Sequence, residues 1–132
     1  MVNYCVDTNI IIDILRGDSK VAEKINVKTS EGDGFFVTPV SLCELFRGAY
    51  GHAKSEEKVL SAESIIEIFN VLDFSIDSCK IFGQFYAKLS RSGKVTNEFD
   101  LMIASIVKAN NLILITRDKK HFEGLGIKVE QW

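Results

Sequence analysis

Asp7, Glu44, Asp100 and Asp118 lie far apart in the chain, yet each falls just after a predicted strand or in the first turn of a predicted helix. A parallel sheet gathers such positions along one edge. Carboxylates brought together there disfavour one another's ionisation, and the usual remedy is a divalent cation. Carboxylate oxygens are hard donors that suit Mg²⁺ or Mn²⁺, typically held by one or two of them plus waters and substrate phosphates. Such ions deprotonate a water for attack and neutralise charge on a phosphodiester. The four acids therefore point to a metal-dependent enzyme that hydrolyses phosphodiesters. No His or Cys is placed to build a zinc site.

Each acid also has a structural use. Asp7 can cap a helix, Glu44 can complete an S-x-x-E capping box begun by Ser41, Asp100 can do the same behind Asn97, and Asp118 can begin a turn. Their joint placement carries the catalytic reading. Thr8, Asn9, Ser41 and Thr116 have hydroxyl or amide groups near the same edge and can orient the carboxylates. Glu98 stands beside Asp100 and can assist it. Asp13, nearly two turns past Asp7, reads as a surface residue, and His52 and His121 have no evident partner and read as non-catalytic.

The elements that must position these groups follow from periodicity and punctuation. Asn3 to Val6 reads as a buried strand and Thr8 to Arg16 as an apolar helix stopped by Gly17, with Asp7 at the junction. A helix from Ser19 to about Val27 precedes the turn SEGDG and the strand FFVT, which Pro39 ends. Ser41, as N-cap, opens a helix to Tyr50 with Glu44 in its first turn. An amphipathic helix from about Ala53 to Phe69 leads to a third strand in VLDFS, and another helix covers Asp77 to Arg91. Thr96 or Asn97 caps the next helix, with Asp100 in its first turn; LILIT is a fourth strand followed by Arg117 and Asp118, and IKVEQW is a closing edge strand.

The helix begun near Asp100 travels about 18 Å before Asn110 and Asn111. The strand Leu112 to Thr116 then returns about 16 Å, so Asp118 arrives near the level of Asp100. Strands alternating with helices predict an α/β fold: a mostly parallel central sheet of four to five strands with helices on both faces, binding its ligand at the carboxyl ends of the strands.

With 132 residues, 46% hydrophobic content and one Pro, the chain is expected to form a single domain spanning 1–132, without linker or repeat. The three cysteines, Cys5, Cys43 and Cys79, have no close spacing and read as small buried apolar residues. No apolar run approaches a membrane span and MVNYCVDTN lacks a signal-peptide pattern, so a cytoplasmic protein without membrane contact is expected. The net charge of −2 argues weakly against nucleic-acid binding, but it becomes +2 once the four acids are set aside, with Arg16, Arg47, Arg91, Lys94, Arg117, Lys119 and Lys120 free to form a basic rim.

The segments VDTNIIIDILRG, TPVSLCELFRGAY and FDLMIASIVKANNLILITRDKKHFEGLGIKVEQW resemble the PIN-domain family, particularly the VapC toxins of bacterial and archaeal toxin–antitoxin pairs. The likeness runs from end to end, and order and spacing make it specific: D-T-N after the first strand, E-L after a Pro-containing turn, D-x-x-I-A, and T-R-D-x-x-H-F before the closing Trp. Ser105 follows I-A where many relatives have a small residue. The resemblance implies that Asp7, Glu44, Asp100 and Asp118 form the acidic metal-binding quartet, with Thr8, Asn9 and Thr116 shaping the pocket. It further implies a Mg²⁺- or Mn²⁺-dependent endoribonuclease, commonly a homodimer, acting on RNA and held inactive by a VapB-type antitoxin whose C-terminal segment lies across the site.

Two other readings are open at this point. One is a PIN-fold RNA-processing nuclease without an antitoxin. The other is a non-catalytic phosphate- or protein-binding module in which the acids are caps. Exposed apolar faces on the helices from Ser41 to Phe69 or Asp77 to Arg91 are the expected places for protein contacts.

Overall fold

The computed structural model describes residues 1–94 and 97–132. In chain order the elements are β1 (Asn3–Val6), α1 (Thr8–Leu15), α2 (Ser19–Ser30), β2 (Gly34–Val37), α3 (Pro39–Tyr50), α4 (Ser55–Ile68), β3 (Asn70–Val71), α5 (Ile76–Arg91), α6 (Glu98–Ala109), β4 (Ile113–Thr116), a 3₁₀ turn (Lys119–Phe122) and β5 (Lys128–Gln131). The strands form one sheet in the order β3-β2-β1-β4-β5, with every pairing parallel. The expected α/β architecture is present, and its sheet is wholly rather than mostly parallel.

Successive residues of a strand face opposite sides of a sheet. In β1, Tyr4 and Val6 join a core cluster with Ile10, Ile11, Leu45 and Ile65, contributed by α1, α3 and α4. Cys5 points the other way, into a cluster built by Phe85 of α5 and Leu101, Ile103, Ile106 and Val107 of α6. Helices thus cover both faces. From β1 the chain first moves to β2 on one side and later returns to β4 on the other, so β1 lies at the switch point where parallel sheets open a crevice. Asp7 follows immediately.

Several boundaries differ from those read in the sequence. α2 continues through Ser30, because its last turn stays helical until Gly32, whose φ of +97° only glycine adopts readily. The third strand is two residues long rather than spanning VLDFS. α3 starts at Pro39, not Ser41: the N-cap is Thr38, whose Oγ1 accepts from Ser41 N at 3.1 Å. Proline is pre-organised for the first helical position, where an N–H has no partner to lose. Glu44 is therefore one turn further along α3 than expected, and the Ser41–Glu44 capping box does not form.

α6 is capped by Asn97, whose Oδ1 accepts from Phe99 N at 2.8 Å and Asp100 N at 3.4 Å. The alternative cap, Thr96, lies outside the described residues. Cys5 is buried as expected, but Cys43 and Cys79 are exposed, since both fall on outward faces of their helices. Among the described residues, no helix is long and apolar enough to cross a membrane.

Candidate active site

Asp7 ends β1 and caps α1, and its two carboxylate oxygens are held from different directions. Oδ1 accepts from Thr8 N at 2.8 Å, and Oδ2 accepts from the Thr116 hydroxyl at 2.7 Å. The backbone beneath is fixed by Asp7 N donating to Ile115 O at 2.9 Å. The side chain is only 6% exposed. Burial pushes its pKa above the usual carboxylate range; the hydrogen bonds from Thr116 and Thr8 pull it back, and the charge of Glu44 adds to the rise.

Glu44 reaches the same place from α3. The Thr8 hydroxyl donates to Glu44 Oε1 at 2.7 Å and lies 2.9 Å from Ser41 Oγ. Ser41 and Glu44 share a helix face because they are three residues apart. The buried Ser41 thus locates the threonine that locates the glutamate.

From β4, Thr116 Oγ1 also accepts from Asp118 N at 3.1 Å and from Asn9 Nδ2 at 3.2 Å. Asn9 Oδ1 in turn accepts from Arg117 N at 3.3 Å. One threonine hydroxyl therefore ties Asp7 to the turn carrying Asp118. The 3₁₀ turn then presents His121, with Nε2 3.1 Å from Asp118 Oδ2 and Nδ1 3.5 Å from Asp100 Oδ2. Asp100, at the start of α6, is half-buried and its pKa is raised to about 6, by burial first and then by the charge of Asp7, with Glu44 and Asp118 adding and His121 opposing.

All four acids belong to one continuous network, running Glu44, Thr8, Asp7, Thr116, Asp118, His121, Asp100. Glu98 does not join it: its side chain is exposed and makes no hydrogen bond or ion pair among the described residues. His121, read in the sequence as having no partner, bridges two of the acids; the signal available was its spacing three residues after Asp118, one helical turn. Asp13 is not a plain surface residue either, since its Oδ2 lies 3.2 Å from Arg117 Nε and its side chain is only 15% exposed. His52 stays apart, its Nδ1 accepting from Lys54 N at 2.9 Å in the turn after α3.

A buried aspartate at the switch point, with three more acids strung to it by hydroxyls and an imidazole, is the geometry to compare with known proteins. The family model described as PIN domain matches residues 4–127. The chain belongs to the PIN-domain family. Within that family it is similar to the tRNA(fMet)-specific endonuclease VapC of Shigella flexneri, 29% identical over 134 aligned positions that cover 100% of this chain and 99% of that one. It is 30% identical to ribonuclease VapC1 of Haemophilus influenzae strain R2866, covering 98% of this chain and 97% of the relative. The DNA-bound VapBC of Salmonella typhimurium superposes with a TM-score of 0.90 at 28% identity, covering 100% of this chain and 99% of that one.

The donor set of this PIN-domain site fits a hard divalent ion. It is made of carboxylates, and the pKa of Asp100 is raised first by burial and then by the neighbouring charge of Asp7. Among the described residues, no three His, Cys, Asp or Glu side chains converge tightly enough to enclose an ion on their own.

Proposed function

We propose that this PIN-domain protein is an endoribonuclease dependent on Mg²⁺ or Mn²⁺, the toxin of a VapBC-type pair, hydrolysing RNA phosphodiester bonds. The observation that carries the reading is the single network joining Asp7, Glu44, Asp100 and Asp118 at the carboxyl edge of the sheet. The relatives support it, being described as ribonucleases and as a VapBC complex. A VapB-type antitoxin as partner, a homodimer as the working form and the cytoplasm as its location belong to the same proposal.

Asp7, Glu44, Asp100 and Asp118 would hold the ion. When bound there, it lowers the pKa of a water and offsets charge on the phosphodiester. The chain's own residues do the positioning. Thr8 and Thr116 fix both oxygens of Asp7, Thr8 fixes Glu44, and His121 holds Asp100 and Asp118 in mutual register. Burial of Asp7 keeps bulk water from competing for its oxygens and strengthens each interaction that the site makes. In the hydrolysis, a water oxygen bonds to phosphorus, the bond from phosphorus to one ribose oxygen breaks, and a proton passes from the water to that oxygen. A carboxylate not engaged by a hydroxyl, such as that of Asp100, can take that proton from the water and pass it on to the leaving oxygen.

The first test is cleavage of total cellular RNA by purified wild type, Asp7→Asn and Asp100→Asn, with Mg²⁺ or Mn²⁺ and with EDTA, in protein freed of any antitoxin. Discrete cuts that need metal and disappear in both variants are expected. Well-folded wild type that cuts no RNA pool with either ion would overturn the proposal. For the protein contacts, Leu60, Ile66 and Ile68 of α4 and Ile76 of α5 are exposed apolar side chains. Charged substitutions there, such as Leu60→Glu or Ile68→Glu, should weaken self-association or antitoxin binding in sedimentation or light-scattering measurements.

A further inference from the structure

Beside Asp100 lies a cleft of about 450 Å³ between the C-terminal end of α5 and the turn at Lys119–Phe122. Its floor carries Leu89 and Leu125, and Lys94, Lys120, Asn97 and Glu123 stand around it. Nearby, Lys88 Nζ on α5 donates to Gly124 O at 3.2 Å, linking α5 to the loop after the 3₁₀ turn. Asp100 and His121 form its inner edge, so the cleft opens directly onto the acidic network.

We infer that this cleft seats one unpaired RNA nucleotide flanking the scissile bond, with Lys94 and Lys120 contacting its phosphates and Leu89 and Leu125 packing against its base. The inference deepens the ribonuclease reading and rests on it for the scissile bond.

Three observations carry it. The volume lies within the range of small-ligand pockets, about 300 to 1,000 Å³, and is enough for one nucleotide. Asp7 is almost buried, so a phosphodiester must be brought down into the crevice to reach it. A nucleotide out of its stack can make that descent, as in other enzymes that work on extruded nucleotides. The charge pattern also has a direction: two exposed lysines flank an apolar floor, as an anionic backbone with a flat base requires. Asn97 spends its carbonyl on capping α6, which leaves its amide group to donate and Glu123 to accept at a base edge.

The test measures binding and cutting separately. In an Asp7→Asn background with Mg²⁺, anisotropy of a fluorescein-labelled RNA strand is followed across a salt series for Lys94→Ala, Lys120→Ala, the double variant and Lys119→Ala, a neighbouring lysine outside the cleft. Each cleft lysine removed should weaken binding about three- to fivefold and flatten the slope of log affinity against log salt by about 0.7, the value for one phosphate contact on a single strand. Lys119→Ala should bind as its parent does, and the same sequence annealed into a duplex should bind at least about tenfold more weakly. Unchanged affinity and slope in the double variant, or equal binding of strand and duplex, would overturn the inference; the cleft's occupant would then be sought among protein segments. Failure here is distinguishable from failure of the nuclease reading. If otherwise wild-type protein cuts RNA equally well with and without the two lysines, the seat is wrong and the nuclease stands. If it never cuts, yet strand binding depends on the lysines, the nuclease reading falls and the seat remains.

Discussion

The Thr116 hydroxyl donates to Asp7 Oδ2 at 2.7 Å across 109 positions of sequence, and it is the bond that joins the first strand's aspartate to the last turn of the site. The bond favours the ionised form of Asp7 against the burial that disfavours it. Thr116→Val should therefore raise the pKa of Asp7 further and move the acid limb of the activity profile to higher pH. It should also cost about 1 to 2 kcal/mol of stability for a buried acceptor left unpaired. Thr116→Ser keeps the hydroxyl and should restore both. An unmoved pH profile in a Thr116→Val protein that still cuts would show that the bond is only structural.

Asp100 gives a prediction about the metal-free protein. Its pKa of about 6 exceeds the ordinary 3.8, so between those values the folded state binds more protons than the unfolded one and stability falls as pH rises. The contribution is intact below about pH 4 and lost above about pH 6. Asp100→Asn should consequently stabilise the protein in EDTA at pH 7.5, by about 1 kcal/mol after allowing for partial exposure of the group, and change little at pH 4. Added Mg²⁺ should stabilise wild type more than the variant. Urea unfolding at the two pH values, with and without Mg²⁺, reads all of this; a variant less stable than wild type at pH 7.5 in EDTA would contradict it.

Much of this architecture was legible in the sequence. Asp7 followed from an apolar four-residue strand running into an apolar helix, and Asp100 from Asn97 standing three residues before it at a helix start. Asp118 followed from the β-branched run that ends at Thr116. These are local signals, in which a residue's type and its neighbours decide the outcome. Glu44 was placed at the right edge for a partly wrong reason: S-x-x-E resembles a capping box, but Pro39 in the first helical position made Thr38 the cap and moved Glu44 a turn along. What could not be read was contact between side chains brought together only by folding. His121 meets Asp100 because the 3₁₀ turn lies against the start of α6, and Arg117 meets Asp13 because β4 lies beside β1. Burial of cysteines also depends on which helix face meets the sheet, and Cys43 and Cys79 fell outside it.

The start of α3 separates two serine and threonine roles that the sequence merges. Thr38→Ala removes the cap and should cost about 1 kcal/mol; its hydroxyl reaches Ser41 Oγ only at 3.4 Å, so Mg²⁺ affinity should fall less than in Ser41→Ala. Ser41→Ala leaves the cap in place and loosens Thr8, whose hydroxyl holds Glu44. It should weaken Mg²⁺ binding about tenfold, the scale on which loss of a group that orients a metal ligand acts. Denaturant unfolding and calorimetric Mg²⁺ titration of the two variants should therefore respond in opposite order.

His121 faces Asp100 and Asp118 at once, and its charge lowers the pKa of Asp100. Replacing it with alanine removes that opposition, so Asp100 should titrate above its present value of about 6 and the acid limb of cleavage should move upward. The imidazole also keeps the turn carrying Asp118 against α6, which makes it a positioning residue. Loss of that contact should lower kcat more than it raises KM, because the exposed ring leaves the cleft's lysines in place. His121→Asn retains a donor at similar reach and should recover part of the rate without recovering the pH shift, since asparagine carries no charge. A rise in KM alone, with kcat and the pH profile unmoved, would mean that the histidine meets substrate rather than the acids.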